Sequence, residues 1–489
     1  MKYPYTEAPE KSQLRRRTLL GGSLASILFV DQRLQQARAP LDPYVIEWHS
    51  YRQTILGLGF EIQSDSIGSG NVGLPENHAS VPHDLVQTER ERFYRQMLRA
   101  GGERGFRYCR LALGLFLRGL TEDRKNIVGR WPGQMDELRE LVEGAGVEGL
   151  SVEYWSPAPY WKSNSGFVGG TLRSTDQGFL SDFSDAIVRD VAYLQDHGLP
   201  VSWWGLQNEP DLETVYSSCS YDDALYFKTF RTAASRLRAR FPGIRIHANS
   251  FGGQHGIGGA ALRADERSLS LVDAWTWHHI GRDTNELLPG VSNFSDEAAN
   301  RVVYNNEFEY LEWDQRLVPW YTVNTAQSIM NWMVFHGASI WMWLHALKPT
   351  YNSESAGYAL GIWRPWDDDN YTRFPDLPKG HWTFNPVHWN ALAGFLRHMP
   401  WNSIRVEVNE PTVNGECRIM AWISPDGRRT FALTNRSRNP QEFHVRAEGA
   451  FTGSRYSHQL NNIGLGTNSG TALHITVPAY AIEFWTEAT

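Results

Sequence analysis

Between about Ile55 and His398 the chain changes hydrophobic period again and again. Short apolar runs of strand length alternate with longer segments in which apolar residues recur at helical spacing. The runs are Ile55–Glu61, Tyr108–Leu113, Gly149–Trp155, Val201–Leu206, Ile244–Ala248, Asp273–His278, Val302–Asn306 and Ala338–Trp343. Helices are expected from about Asp84, over Met135–Ala145, over Phe179–His197 (which Gly198 ends), over Asp222–Arg240, over Thr322–Phe335 and over Val387–His398. Eight strand–helix units in a row predict an α/β chain folded as a closed (β/α)8 TIM barrel, not an open sheet. Closure has a consequence for chemistry. It brings the C-terminal ends of all the strands to one mouth, so residues far apart in sequence converge there.

Beyond Pro400 the texture changes. Segments such as Ser403–Val408, Arg429–Asn435 and Ala481–Thr486 alternate apolar and polar residues, and turns such as Pro425-Asp426-Gly427 separate them. This pattern predicts an attached C-terminal β-sandwich domain. The segment Tyr44 to Tyr51 is expected to add a strand to it. The expected organisation is an export signal-like segment at 1–39, an N-terminal segment at 40–54 that joins the sandwich, a catalytic barrel at 55–399 and the sandwich at 400–489. At 489 residues the chain exceeds one ordinary core, which agrees with two domains.

Arg15, Arg16 and Arg17 precede an apolar stretch from Leu19 to Val30, interrupted by Gly21, Gly22 and Ser23. This resembles a twin-arginine export signal and is too short to span a membrane. Export to the periplasm or beyond is the expectation, a cytoplasmic enzyme with a basic tail the alternative, and no stable membrane insertion is expected. A formal net charge of −7 argues against a nucleic-acid partner, which calls for a basic face. Cys109, Cys219 and Cys417 lie far apart and form no ligand cluster, so neither a disulfide framework nor a zinc site is indicated. The 20 Trp, 20 Tyr and 22 Phe suit both a large core and stacking surfaces for sugar rings; most are expected in the core.

The sharpest motif is Trp203-Trp204-Gly205-Leu206-Gln207-Asn208-Glu209-Pro210. It ends the fourth expected strand, so Glu209 should stand at the barrel mouth. Asn-Glu-Pro in that place resembles the large clan of retaining glycosidases. The resemblance implies that Glu209 is the acid/base and that Asn208 binds the sugar 2-hydroxyl. Such chemistry needs a second carboxylate about 5 to 5.5 Å away. The clan keeps it at the end of strand seven, where this chain reads Asn305-Asn306-Glu307-Phe308-Glu309. Along a straight strand Asn305, Glu307 and Glu309 share one face, so parity does not choose between the two acids. Depth favours Glu307 as nucleophile, with Glu309 as the alternative.

Other segments carry the resemblance further. Arg110, in Cys109-Arg110-Leu111, falls where clan members keep an arginine on the nucleophile. Ser156-Pro157-Ala158-Pro159-Tyr160-Trp161-Lys162 resembles a segment of glycoside hydrolase family 30. In Ile340-Trp341-Met342-Trp343, the resemblance makes Trp343 the floor of a sugar subsite. Trp343 and at least one of Trp155 and Trp161 are expected to line the cavity of Glu209. His278 and His279 close strand six, where family 30 often has a His and a Tyr; one binds at the site, or one is a core residue. After strand two the chain reads Leu115-Phe116-Leu117-Arg118, and Arg118 suggests a contact for an acidic sugar, with a surface arginine as the alternative.

The reading that follows is a retaining hydrolase of a β-linked glycoside, oligosaccharide or polysaccharide, working by double displacement and needing no cofactor or metal. Two alternatives stay open. One is a non-catalytic carbohydrate-binding barrel. The other is a metal-dependent barrel hydrolase using His278 and His279.

Overall fold

The computed structural model describes residues 42–62, 81–214, 216–251, 256–310, 314–350, 359–366, 368–369 and 375–489. The export signal-like segment lies outside the described residues. Eight parallel strands close into a barrel: Gly57–Glu61, Tyr108–Leu113, Gly149–Tyr154, Val201–Gly205, Arg245–Phe251, Ala274–His278, Val302–Phe308 and Ala338–Trp343. The eighth joins the first in a register running from Ile340↔Gly57 to Trp343↔Phe60.

Alternation along these strands sorts the side chains. One parity points inward, and Tyr108, Trp203, Ala274, Tyr304, Ile340 and Met342 form a compact apolar plug. Trp203 lies edge-on to Tyr304 with centroids 5.5 Å apart. Two glycines make room for this filling. A Cβ on Gly59 would come within 2.7 Å of Met342, and one on Gly205 within 2.0 Å of His247. The other parity points to the helices. Trp204 packs on Phe230, Trp277 on Phe294, and the Trp341 indole donates to Ser328 Oγ at 3.1 Å. Much of the tryptophan in the chain is therefore mortar between strands and helices.

The helices Gln134–Ala145, Gln177–Asp196, Asp223–Arg240, Val318–Phe335 and Pro386–His398 match the periodic segments. Asp222 caps the third of these by accepting from the Leu225 N–H. Val318–Phe335 begins four residues before the expected Thr322, with Pro319 in its first turn. The single helix expected from Asp84 is instead broken into Val81–Asp84, Gln87–Arg92 and a π-helical turn, Phe93–Leu98. The cause is a distant contact: the Asp84 carboxylate is buried and accepts from Trp363 Nε1 at 2.7 Å, which pins the chain at the break.

After strand eight the chain forms a small sheet of His345–Pro349, Ala359–Trp363 and Trp382–Phe384, where the sequence suggests only a long connection. The C-terminal region is a seven-stranded sheet. It curls over a core containing Trp48, Val406, Phe431, Phe443, Phe451 and Trp485, so its two halves face each other as in a sandwich. The strand Tyr44–Ile55 runs past the expected Tyr51 and ties the halves together. It pairs antiparallel with Ser403–Asn409 and parallel with Gln441–Tyr456. The sheet rests on helix Pro386–His398 through Phe395 and Phe484, whose rings stand 4.9 Å apart. Among the described residues, no helix is long and apolar enough to cross a membrane.

Candidate active site

Above the apolar plug, two residues further along the inward parity, the barrel turns charged. Arg110 is fully buried there. It donates through Nε to Glu153 Oε1 at 2.6 Å, through Nη1 to Glu61 Oε2 at 3.0 Å and to Glu307 Oε2, and through Nη2 to Asn208 Oδ1 at 2.6 Å. One guanidinium thus faces three carboxylates. Burial alone would raise the Glu153 carboxyl, but Arg110, His247 and the Ser250 hydroxyl together hold it below its ordinary value. Burial would equally lower the Arg110 guanidinium, and its three acids keep it protonated. Removing such charges from water costs several kcal/mol per ion in practice, so the cluster does not exist for stability. Concentrations of this kind mark functional sites.

Glu209 follows the fourth strand with φ 43°. That left-handed conformation costs a non-glycine residue about 1–2 kcal/mol. It is held because the Glu209 N–H donates to the Ser250 carbonyl at 2.9 Å and the Asn208 N–H to the Tyr154 carbonyl at 2.7 Å. Ser250, itself at φ 78°, donates its hydroxyl to Glu153. Two strained residues therefore brace the fourth and fifth strand ends against each other.

His278 ends strand six between the two acids. Its Nδ1 lies 3.2 Å from Glu209 Oε1 and its Nε2 3.6 Å from Glu307 Oε2. One donor atom from each of Glu209, His278 and Glu307 falls within 4.8 Å of the others. Burial would lower the His278 imidazole, but Glu307 and Glu209 outweigh it and the net shift is upward. A protonated ring donates from both nitrogens, which suits a position between carboxylates. The same trio of donors also has a spacing that fits a divalent cation.

The seventh strand does not run straight. Its register shifts between Asn305 and Glu307 against strand six and between Asn305 and Phe308 against strand eight. Tyr304 fills the plug, while Asn306 Nδ2 donates inward to Glu153 Oε1 at 2.9 Å and to Ser250 Oγ at 2.7 Å. Glu307, the very next residue, also points inward to Arg110, and Phe308 points out against Trp341 and Trp343. This bulge places two successive side chains at the mouth. Asn305 turns away from it, donating to the Trp277 carbonyl at 2.9 Å. Glu309 returns inward and is buried beside His345, whose Nε2 is 3.2 Å from Glu309 Oε2.

The aromatic residues divide. Trp155 lies in the charged cluster, with the Arg110 guanidinium 4.3 Å above its ring. Trp161 packs against Phe179 and Phe183 and donates to the Lys125 carbonyl at 2.7 Å, which makes it part of the strand–helix core. Trp343 stands on the helix side of strand eight, because Ile340 and Met342 take the inward parity. Its ring is 4.9 Å from His388 and 5.9 Å from Phe308. The expected subsite floor at Trp343 is therefore corrected to a core position. His279 also turns outward, 3.5 Å from Glu286 and facing Trp332, so of the histidine pair only His278 reaches the carboxylates. Lys162 donates to Ser156 Oγ and to the Phe167 carbonyl, each at 2.9 Å, and fastens the loop after strand three. Leu115, Phe116 and Leu117 are buried, and Arg118 is half-buried beside them.

Sequence reading passed over Glu61, Glu153, Ser250, Asn306, His345 and Lys348. For Glu61 and Glu153 a signal existed. Each is a lone acid within an otherwise apolar barrel strand, and such an acid has to find a buried partner.

No protein-family model and no curated protein matches this sequence. Solved structures do resemble it. The catalytic domain of the family 30 xylanase C from Talaromyces cellulolyticus matches at 15% identity and a TM-score of 0.69, covering 92% of this chain and 100% of that one. A conserved exported protein from Bacteroides fragilis matches at 11% identity and a TM-score of 0.72, covering 91% and 100%. An endo-β-1,6-glucanase matches at 14% identity and a TM-score of 0.66, covering 91% and 95%. A barrel joined to a curled antiparallel sheet that its N-terminal strand helps to build is thus the fold this chain shares with the glycoside hydrolases of family 30.

Proposed function

We propose that this chain is a retaining glycoside hydrolase acting on a β-linked glycoside or polysaccharide. The observation that carries the reading is the meeting of Glu209 and Glu307 from strands four and seven, with His278 between them and Arg110 on Glu307. In the first step Glu307 attacks the anomeric carbon. The bond to the leaving oxygen breaks, and Glu209 gives that oxygen its proton. In the second, Glu209 takes a proton from water as the water oxygen attacks the same carbon and the ester to Glu307 breaks. Arg110 aims Glu307 by donating to its Oε2. His278 is a positioning residue whose proton steadies both acids. Asn208, fixed by Arg110, is placed to meet the sugar 2-hydroxyl. The xylanase and glucanase names among the similar structures make β-linked polysaccharides the first substrates to try. Export through the twin-arginine-like segment is part of the same proposal and rests on Arg15, Arg16 and Arg17 ahead of the apolar stretch from Leu19 to Val30.

The test is Glu307→Gly with azide. An aryl β-glycoside that the wild type turns over should give an α-glycosyl azide with this variant and no reaction without azide. Rescue of Glu309→Gly instead, with Glu307→Gly active, overturns the assignment. The spacing of Glu209, His278 and Glu307 also favours a second reading, a metal-dependent hydrolase. Wild-type turnover unaffected by prolonged dialysis against chelator eliminates it.

A further inference from the structure

A second group of buried ionisable side chains adjoins the carboxylate pair and has no part in the double displacement. Glu309 directly follows strand seven, two residues past Glu307. His345 and Lys348 come from the strand that follows strand eight. All three are more than nine-tenths buried. Glu309 feels the charges of Glu307, Glu209 and Arg110, and Lys348 feels that of Glu61. Glu309 follows Glu307 by two residues and His345 Nε2 lies 3.2 Å from its carboxylate, so the group adjoins the reacting acids.

Its polar atoms are incompletely used. His345 Nε2 approaches Glu309 Oε2 at 3.2 Å but off the hydrogen-bonding direction. Among the described residues, Glu309 Oε2 and His345 Nδ1 have no hydrogen-bond partner. Each such buried atom costs about 1–3 kcal/mol, a loss that a ligand hydroxyl would recover. The charge state fits a neutral ligand. Burial pushes the Glu309 carboxyl up to about 8 and the Lys348 amine down, and each group's charge opposes the other's shift. Whether the proton sits on the lysine or on the acid, the pair is neutral overall and offers both donors and acceptors. The adjoining cluster sets Arg110 and the protonated His278 against the carboxylates of Glu61, Glu153 and Glu307, so acids still outnumber cations there and a sugar carboxylate would add to the excess.

Resting on the proposed glycosidase reading, we infer that Glu309, His345 and Lys348 are the site's glycone reader. They take two adjacent hydroxyls of an uncharged sugar ring whose anomeric carbon lies at Glu307. A vicinal diol supplies two donors and two acceptors at a fixed separation, which a carboxyl, an amine and an imidazole nitrogen can all engage. This makes the preferred substrate a neutral sugar, against the acidic one that Arg118 suggested.

The experiment uses the full chain and an aryl β-glycoside chosen from a panel of neutral sugars by wild-type turnover. Its monodeoxy counterparts are compared across wild type, Glu309→Gln and Lys348→Met. Each variant should lower kcat/KM on the parent glycoside by about 10²-fold, because a site built to bond a hydroxyl rejects the unpaired state strongly. On the glycosides lacking either of two adjacent hydroxyls, the wild type should already show that loss, and the variants should add less than about threefold to it. If a variant fails to fold, the wild-type deoxy series decides alone. Apart from the 2-hydroxyl, which Asn208 meets, losses confined to two neighbouring hydroxyls support the inference, and equal losses at every position overturn it. Variants within about threefold of wild type on the parent also overturn it, yet leave the glycosidase reading intact. A wild type inert on the whole panel overturns that reading and this inference with it.

Discussion

At the N-terminal end of the barrel strands the interior is filled by Tyr108, Trp203, Ala274, Tyr304, Ile340 and Met342. Two to four residues further along, strands one, two and three carry Glu61, Arg110 and Glu153 into the same interior, and strands six and seven bring His278 and Glu307. The ends share backbone, curvature and burial and differ only in side-chain chemistry. The apolar end gains from leaving water, roughly 25 cal/mol per Å2 of apolar surface. The charged end loses by the same move and is tolerated because the rest of the fold supports it. Stability and chemistry are thus separated by two to four residues along strands two, six and seven, and substitutions at each end should show it.

The largest effect is expected for Arg110→Met. It leaves Glu61, Glu153 and Glu307 buried without their shared cation and should cost about 3–5 kcal/mol in urea unfolding. Turnover should be lost as well, since Glu307 and Asn208 lose the group that fixes them. Ile340→Ala at the apolar end should cost about 2–5 kcal/mol, yet leave kcat per folded molecule and its pH profile as in wild type. A changed pH profile in Ile340→Ala, or unchanged stability in Arg110→Met, would break the contrast.

The two ends also differ in how far they could be read from sequence. Periodicity is a property of many residues at once. The strands Tyr108–Leu113 and Ala338–Trp343 were legible to the residue, and so was the place of Glu209 after strand four. The mouth depends on single departures from that regularity. The bulge at Asn306 turns Asn306 and Glu307 inward together, which no period-two pattern can announce. The same holds for Trp343. Aromatic residues on both parities of strand eight look alike in sequence, and only the inward packing of Ile340 and Met342 settles which way it faces. His345 and Lys348 belong to a short strand in a connection whose length alone was visible. The break after Asp84 depends on Trp363, almost three hundred positions away, and no local signal encodes it.

A smaller effect should appear in the pH dependence of stability. Glu309 has a folded-state carboxyl raised from 4.5 to about 8. An acid shifted upward binds more protons folded than unfolded. Its contribution is fully present below about pH 4.5 and disappears as pH rises through about 8. The upward net shift of His278 acts in the same direction, and the lowered Lys348 amine acts oppositely at more alkaline pH. Glu309→Gln should therefore flatten the fall in thermal midpoint between about pH 5 and pH 8, by about 2 °C or more. An unaltered slope would mean that Glu309 is ionised when folded across that whole range. The apolar end supplies the control, for Ile340→Ala should lower the midpoint equally at both pH values.

The smallest effect on activity is expected at Trp343, and it sharpens where the charged end stops. Trp155 and Trp343 are both buried tryptophans at strand ends, and sequence alone places both at the sugar. Trp155 has the Arg110 guanidinium 4.3 Å above its ring, so Trp155→Phe weakens a desolvated cation–π contact to the residue that aims Glu307. That contact is worth about 1–2 kcal/mol, and kcat/KM should fall by about tenfold. Trp343 has its ring against His388 and Phe308, on the side of strand eight away from the carboxylates. Trp343→Phe removes packing there and should lower stability by about 1–3 kcal/mol while leaving kcat/KM within about twofold. Steady-state rates and urea midpoints on the two variants decide the matter. If Trp343→Phe loses activity at wild-type stability while Trp155→Phe does not, the sugar rests on strand eight, and the charged end of the barrel extends one residue further than its side-chain parity allows.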